Sequence, residues 1–359
     1  MRRLVTSAFA GFLLVLSGVV LTLDKKVVEL PVFHRDNFTL SLQLSQRYEK
    51  KFQNLPTATF TDKKYYLSVF SIFRNEVTLI REWVAHYIRQ GVDHFFLIDH
   101  DSDDGTRQSL TEYEIAGYIT YFSFHDHSRG AQVRAYNQFW HLVAADSEWA
   151  LVVDVDEFCH SRRHVMEGSS SRVSTVREVL TRFYSSASFV LLADIYFGNP
   201  GYVEQPENVL CHFDRRADYD LSGQPEFVNP TLTRYLIRTS TKDGGDISVN
   251  NAPTFSLHNS RRDGRYGDDI ANGKQFVPPH DIDRVSLNES EIQSAYLIVN
   301  HYRVLSKKWY FSVRATRGNV FVGDEAGKLD NIEAEYEVYN PHYTNVRDTF
   351  LASATPYCA

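Results

Sequence analysis

Trp149-Ala150-Leu151-Val152-Val153-Asp154-Val155-Asp156-Glu157-Phe158, WALVVDVDEF, carries five apolar residues straight into three acids separated by a single valine. An apolar run of this length bounded by charge reads as a strand buried on both faces that ends in an acidic turn. Carboxylates this close repel one another unless a cation, a proton or solvent offsets the charge. Asp-x-Asp on a rigid turn suits a hard divalent cation, because two carboxylate oxygens fill part of an octahedral shell and leave room for other oxygen ligands. Asp154 and Asp156 are therefore candidate metal ligands, with Mn2+ or Mg2+ as the expected ion. The bland reading is a solvated turn or a helix cap formed by the same acids.

Upstream of this turn the pattern alternates regularly. Tyr66 to Phe73 is strand-like, and Ile80, Trp83, Val84, Tyr87 and Ile88 follow at helical spacing before Gly91, a natural C-terminal cap. His94 to Asp99 is the next strand. A helix is expected up to Gly117, a strand at Tyr118 to Phe124 and a helix from Ala131 to Ala145, with WALVV as the fourth strand. A helix over Thr175 to Ser185 leads to a strand at Phe189 to Leu192. Strands alternating with helices imply an α/β fold with a mainly parallel sheet covered on both faces. In such a sheet the ligand crevice lies beyond the carboxyl ends of the strands. Arg74-Asn75-Glu76, the acidic loop from Asp99 to Gly105, and Asp154 to Glu157 should all meet on that rim. The loop from Asp99 is not a calcium loop, since Asp104 and Leu110 stand where Gly and Glu would be needed. Asp99 and Asp101 are its better ligand candidates, whereas Asp103 and Asp104 read equally well as caps of the following helix.

Past Gly198 the alternation gives way to a loop-rich region with seven prolines up to Pro279. The N-terminus is a separate matter. After Arg2 and Arg3 come 20 uncharged residues, Leu4 to Leu23, a length that suits a bilayer-spanning signal anchor, with a cleaved signal peptide as the rival. The expected organisation is an anchor over 1–23, a stem over 24–64, a catalytic domain over 65–320 and a weakly patterned tail over 321–359. Lys25 and Lys26 balance the two arginines, so charge does not decide the orientation. The sequons at Asn37 and Asn288 would be usable only from the secretory lumen. Cys159, Cys211 and Cys358 allow one bridge or three free thiols. A net charge of −7 argues against a nucleic-acid partner held by a general basic field.

Taken together, Phe73-Arg74-Asn75-Glu76, Glu82-Trp83, Gly91 to Leu97, Ser102-Asp103-Asp104-Gly105-Thr106 and Val153 to Phe158 resemble glycosyltransferase family 92 and its family 2-like relatives. Phe197-Gly198, Asn300-His301-Tyr302, Ser306 and Arg317-Gly318 follow in the order of that family's later blocks. The resemblance implies a GT-A nucleotide-binding fold and transfer of a sugar from a UDP- or GDP-linked donor to a glycan acceptor. It places Asp154 and Asp156 on the metal and diphosphate, Glu76 and Asp101 on the nucleotide, and His301 as a further metal ligand. Without it, a lone His in an apolar run is more often structural. Leu305-Ser306 replaces the family's usual Lys-Ser, leaving Lys307, Arg314 or Arg317 as candidates to neutralise the diphosphate; Asp194 replaces a frequent Trp.

An inverting transfer needs a base to take the acceptor proton while the leaving group is held. Asp156, Asp194 and Glu157 are the catalytic candidates, Asp194 reading equally as a structural acid at a strand end. The expected setting is a Golgi or endoplasmic reticulum membrane, single-pass type II with the catalytic domain luminal. Two other classes share these features: a carboxylate-pair glycosidase, indifferent to chelation, and a membrane-tethered sugar-binding protein without turnover.

Overall fold

The computed structural model describes residues 63–128, 130–167, 170–185, 189–221, 232–239, 268–269, 288–314 and 332–358. The expected 1–23 span, residues 24–62 of the stem, the Asn37 sequon and Arg317 lie outside the described residues. Among the described residues no helix is long and apolar enough to cross a membrane.

Strand β1 (Tyr65–Phe73) is buried over its last seven residues, as a central strand covered on both faces must be. It pairs in parallel with β2 (His94–Asp99), which pairs in parallel with β3 (Ile119–Ser123), and on its other side with β4 (Ser147–Val152). Helix α1 (Ile80–Arg89) buries Ile80, Trp83, Val84, Tyr87 and Ile88, the face expected from their spacing. Gly91 takes φ +87°, and a Cβ there would lie 2.7 Å from the Cβ of Arg177, so only glycine lets the chain leave α1 against that neighbour. Helix α2 (Ala131–Asp146) covers β1 and β4 with Ala135, Tyr136, Trp140 and Val143. Helix α3 (Val176–Phe183) starts at a capping box between Thr175 and Glu178. The helix expected before Gly117 forms as two short pieces, residues 106–109 and 111–115, broken where Leu110 leaves helical geometry and is fully buried.

This first half of the sheet is wholly parallel, whereas the second half mixes both directions; the fold is mixed α/β. After β4 the chain turns at Val153–Asp156 into β5 (Glu157–His160), and a hairpin of β6 (His164–Glu167) and β7 (Ser170–Val173) follows. Strand β8 (Phe189–Gly198) outruns the four residues expected of it. Short β9 (Arg215–Arg216) pairs with its end. Strand β10 (Leu232–Arg238), in the stretch read as loops, inserts between β4 and β8, antiparallel to both. The two-residue β11 (Asp268–Asp269) and then β12 (Ile298–His301) pair in parallel with β8, and β12 also pairs antiparallel with β5. Helix α4 (Glu289–Ser294) precedes β12.

Residues 332–358 contribute to the core. Helix α5 (Ile332–His342) and its neighbourhood bury Tyr336, Tyr343 and Leu351, and β13 (Val346–Arg347) pairs with β9. Buried Asp348 accepts from Arg162 at 2.5 Å and Arg216 at 2.8 Å. Cys211 and Cys358 form a disulfide, and Cys159 is a buried free thiol.

Candidate active site

The turn after β4 is held from three sides. The Trp83 indole N–H on α1 donates to the carbonyls of Asp154 (3.0 Å) and Glu157 (2.9 Å). The Tyr302 N–H after β12 donates to the Asp156 carbonyl at 2.8 Å. The Asp154 N–H donates to Glu157 Oε2 at 2.9 Å, closing the turn on itself. With its backbone satisfied in this way the turn can project acids from a buried position.

Around it the sheet gathers four carboxylates and two cationic side chains. Asp154 keeps 31% of its side chain exposed, and Asp156, Glu157 and Asp194 are buried. Antiparallel pairing sets His301 opposite Glu157, and parallel pairing sets Val299, two residues earlier on the same face, opposite Asp194. The imidazole accordingly lies among acids: Nδ1 donates to Asp194 Oδ2 at 3.0 Å, with Glu157 Oε1 at 3.5 Å, and Nε2 is 3.5 Å from Asp156 Oδ2. Arg234, brought in by β10, donates from Nε to Glu157 Oε2 at 2.5 Å and from Nη2 to Oε1. Its Nη2 also lies 3.5 Å from Asp154 Oδ2 and 3.9 Å from Asp194 Oδ2. Gln132 on α2 donates to Asp154 Oδ1 at 3.3 Å.

The titration behaviour follows from this crowding. Burial works against charge on His301, but Asp194 and Asp156 outweigh it and raise the imidazole to about 10. Burial also works against Asp156, yet His301 holds that carboxyl down to about 2; Asp194 is lowered for the same reason. Asp154 is raised, chiefly by burial and against the pull of Arg234. Burial lifts Glu157 to about 7, again opposed by Arg234.

Asp156, Glu157 and His301 each offer one ligand atom within 4.8 Å of the others, a buried carboxylate–imidazole group able to hold a metal ion. The donor set fits Mn2+, which accepts both carboxylate oxygen and neutral imidazole. The charge balance also fits, because the carboxylates outnumber the cations and Asp194 Oδ1 is buried with no hydrogen-bond partner among the described residues. Asp156 and His301 belong both to this group and to the ligand set expected from sequence; Asp154 stands on the same turn but outside the group.

Glu76, Asp99 and Asp101 sit at the carboxyl ends of β1 and β2, on the same sheet rim as Asp154. The two rim loops are laced together. Asn75 N–H donates to Ser102 Oγ (3.1 Å), Glu76 N–H to Thr106 Oγ1 (2.8 Å) and Val77 N–H to Asp104 Oδ2 (3.0 Å), while Asn75 Nδ2 donates to Asp103 Oδ1 (2.9 Å) and Asn75 Oδ1 accepts from the Asp103 N–H (3.0 Å). Asp99 Oδ1 accepts from Ser102 N–H at 2.9 Å. Asp101 takes φ +58° and accepts from His125 Nδ1 (2.6 Å) and His127 Nε2 (2.8 Å). Asp194 sits in the middle of β8 rather than at its end. Sequence reading missed Arg234, and it saw Trp83 only as a member of a motif and a helical face.

A mixed α/β sheet here ends a buried central strand in an acidic cluster, beside a laced rim of acidic loops. Residues 63–229, a little under half of the chain, match the family model described as glycosyltransferase family 92. A curated family 92 protein of Ricinus communis is 22% identical over 189 residues, covering 50% of this chain and 32% of that protein. One of Oryza sativa subsp. japonica is 29% identical over 195 residues, covering 51% and 31%. The matched part thus spans about a third of the length of these curated relatives. Among solved structures, a mannosyltransferase of Pyrobaculum calidifontis in complex with GDP-Man and Mn2+ is 14% identical, covering 57% of this chain and 53% of that one, with TM-score 0.27. GalNAc-T7 with UDP, GalNAc and Mn2+ is 12% identical, covering 69% and 46%, with TM-score 0.33. Likenesses of that extent add nothing to the reading of the site, which rests on its own residues.

Proposed function

We propose that this chain is a metal-dependent, inverting glycosyltransferase that moves a sugar from a UDP- or GDP-linked donor to a glycan acceptor on a GT-A fold. The observation that carries this reading is the Asp156–Glu157–His301 group at the carboxyl end of the buried β4 strand, which lies in the stretch that matches the family 92 model. Asp156 and His301, with Asp154 beside them, would hold Mn2+ or Mg2+. A cation bound there supplies charge to stabilise a departing nucleoside diphosphate.

The remaining work belongs to the chain's own groups. Trp83 and Tyr302 fix the turn, so the aspartates are placed before a donor arrives. Arg234 holds Glu157 on both oxygens, so Glu157 serves better as a strut than as a proton acceptor. Glu76, Asp99 and Asp101 are proposed to face the nucleotide; Arg317, from the sequence alone, is proposed to bind it too. A luminal, membrane-tethered setting is supported by the 20-residue apolar N-terminal run and by the Cys211–Cys358 bridge, which persists in oxidising compartments. The sequon at Asn288 supports it too: the residue is exposed, and its Oδ1 caps α4, leaving Nδ2 for a glycan.

A thermal-shift screen of UDP- and GDP-sugars with and without Mn2+ tests the reading, since a ligand that binds only the folded state raises its apparent stability. A rise that needs both nucleotide and metal, and sugar release that EDTA abolishes, are expected. Activity indifferent to EDTA would instead mark a carboxylate glycosidase.

A further inference from the structure

We propose that Asp194 is a positioning residue for His301: it holds the imidazole through Nδ1 and leaves Nε2 as the atom presented to the cation. This inference rests on the metal-site reading above and assigns Asp194 a role other than that of proton acceptor.

Strand pairing brings the two side chains to one face. Asp194 is opposite Val299 in the parallel β8–β12 pair, so it shares a face with His301, and its Oδ2 accepts from Nδ1 at 3.0 Å. A neutral imidazole has one donor and one acceptor nitrogen, and the bond made by the first decides which atom is the second. A cation at Asp156 would displace the Nε2 proton, and with Nδ1–H committed to Asp194 the lone pair then falls on Nε2, the nitrogen that faces Asp156 Oδ2 at 3.5 Å. Glu157 Oε1 is also 3.5 Å from Nδ1, but it already accepts from Arg234, which leaves Asp194 as the better acceptor.

The burial of Asp194 points the same way. At 1% exposure in the middle of a strand, it lies where a base for an incoming hydroxyl would have no approach. A carboxylate in such a place is costly unless tied to partners. Those partners are His301 and, at 3.9 Å, Arg234 Nη2, which favours the ionised form that accepts the Nδ1 proton. A carboxylate behind a ligating imidazole fixes its ring plane and tautomer and raises its basicity, and losing one typically costs 10–100-fold in metal affinity.

The test is Mn2+ binding to the full chain without nucleotide, read by electron paramagnetic resonance, for wild type, H301A, D194A and D194N, with near-UV circular dichroism reporting the fold. Wild type should bind, H301A should lose the site, and D194A should bind about 10–100-fold more weakly. D194N should fall between D194A and wild type, because its amide oxygen still accepts from Nδ1–H without the charge. Should D194A fail to fold, D194N carries the test, and weakened Mn2+ binding with an unchanged circular dichroism spectrum supports the role. Loss of binding in H301A with unchanged affinity in the Asp194 variants overturns this proposal alone. Absence of Mn2+ binding in folded wild type overturns the metal-site reading and this proposal with it.

Discussion

Arg234 and Glu157, 77 positions apart in the chain, form a two-bond clasp buried on both sides, and Glu157 in turn accepts the Asp154 N–H. Breaking one partner of a buried ion pair leaves the other charge uncompensated, at a cost of about 3–5 kcal/mol. Arg234→Met should therefore destabilise the domain by roughly that amount. Adding Glu157→Gln to it should recover part of the loss. Urea unfolding of the single and double variants measures both, and purely additive losses would show that the clasp does not couple.

Asp156→Asn is expected to abolish Mn2+-dependent sugar transfer while the fold persists. The substitution keeps the volume of the side chain and leaves the backbone bonds of the turn in place, so near-UV circular dichroism should match wild type. Full turnover in this variant, with metal still required, would remove Asp156 from the site.

Much of the first half of the sheet is legible from sequence because its signals are local. β1 and β2 are apolar runs bounded by polar residues, and α1 carries a clean amphipathic face ended by Gly91. The acidic turn after β4 is legible for the same reason. From sequence Asp194 reads as a strand end because a charge usually stops a strand, whereas β8 runs through it and its carboxylate pairs with His301, 107 residues away. β10 and Arg234 escaped altogether. Leu232–Arg238 does not alternate cleanly, and its partners β4 and β8 lie far off in sequence, where periodicity carries no information. Trp83 reads as core from spacing, and its bond to the turn spans 71 positions.

Two buried histidines should each subtract stability between pH 6.5 and 4, opposed over part of that range by Glu157, whose raised carboxyl binds its proton first in the folded chain. Burial lowers His94 and His160 from the usual 6.5 to about 4 each, and both make hydrogen bonds in the folded chain, His94 to Gly117 O and Thr120 Oγ1, His160 to Asn300 Oδ1. The unfolded chain binds these protons near 6.5 and the folded chain only near 4, so their contribution is complete above 6.5 and lost as pH falls toward 4, by up to about 3 kcal/mol per residue. The difference in unfolding free energy between wild type and His94→Gln, measured from pH 7 to 4, should show the His94 slope; a difference that does not change with pH would exclude His94 as a source.

Reduction should loosen the far end of the domain. Cys358→Ser is expected to lower stability by about 2–4 kcal/mol, as is dithiothreitol on wild type. Dithiothreitol should add nothing further to the variant in a thermal melt. An additional loss there would mean that another thiol pair contributes.

The matched family stretch stops at residue 229, three residues short of β10. Since β10 lies between β4 and β8, a chain truncated at that boundary would keep the acidic turn but lose Arg234 and His301, and it would strip the ladder from one flank of β4. Such a fragment exposes a long unpaired edge, which invites self-association. The smallest piece worth expressing therefore runs past His301 and on to the bridge at Cys358.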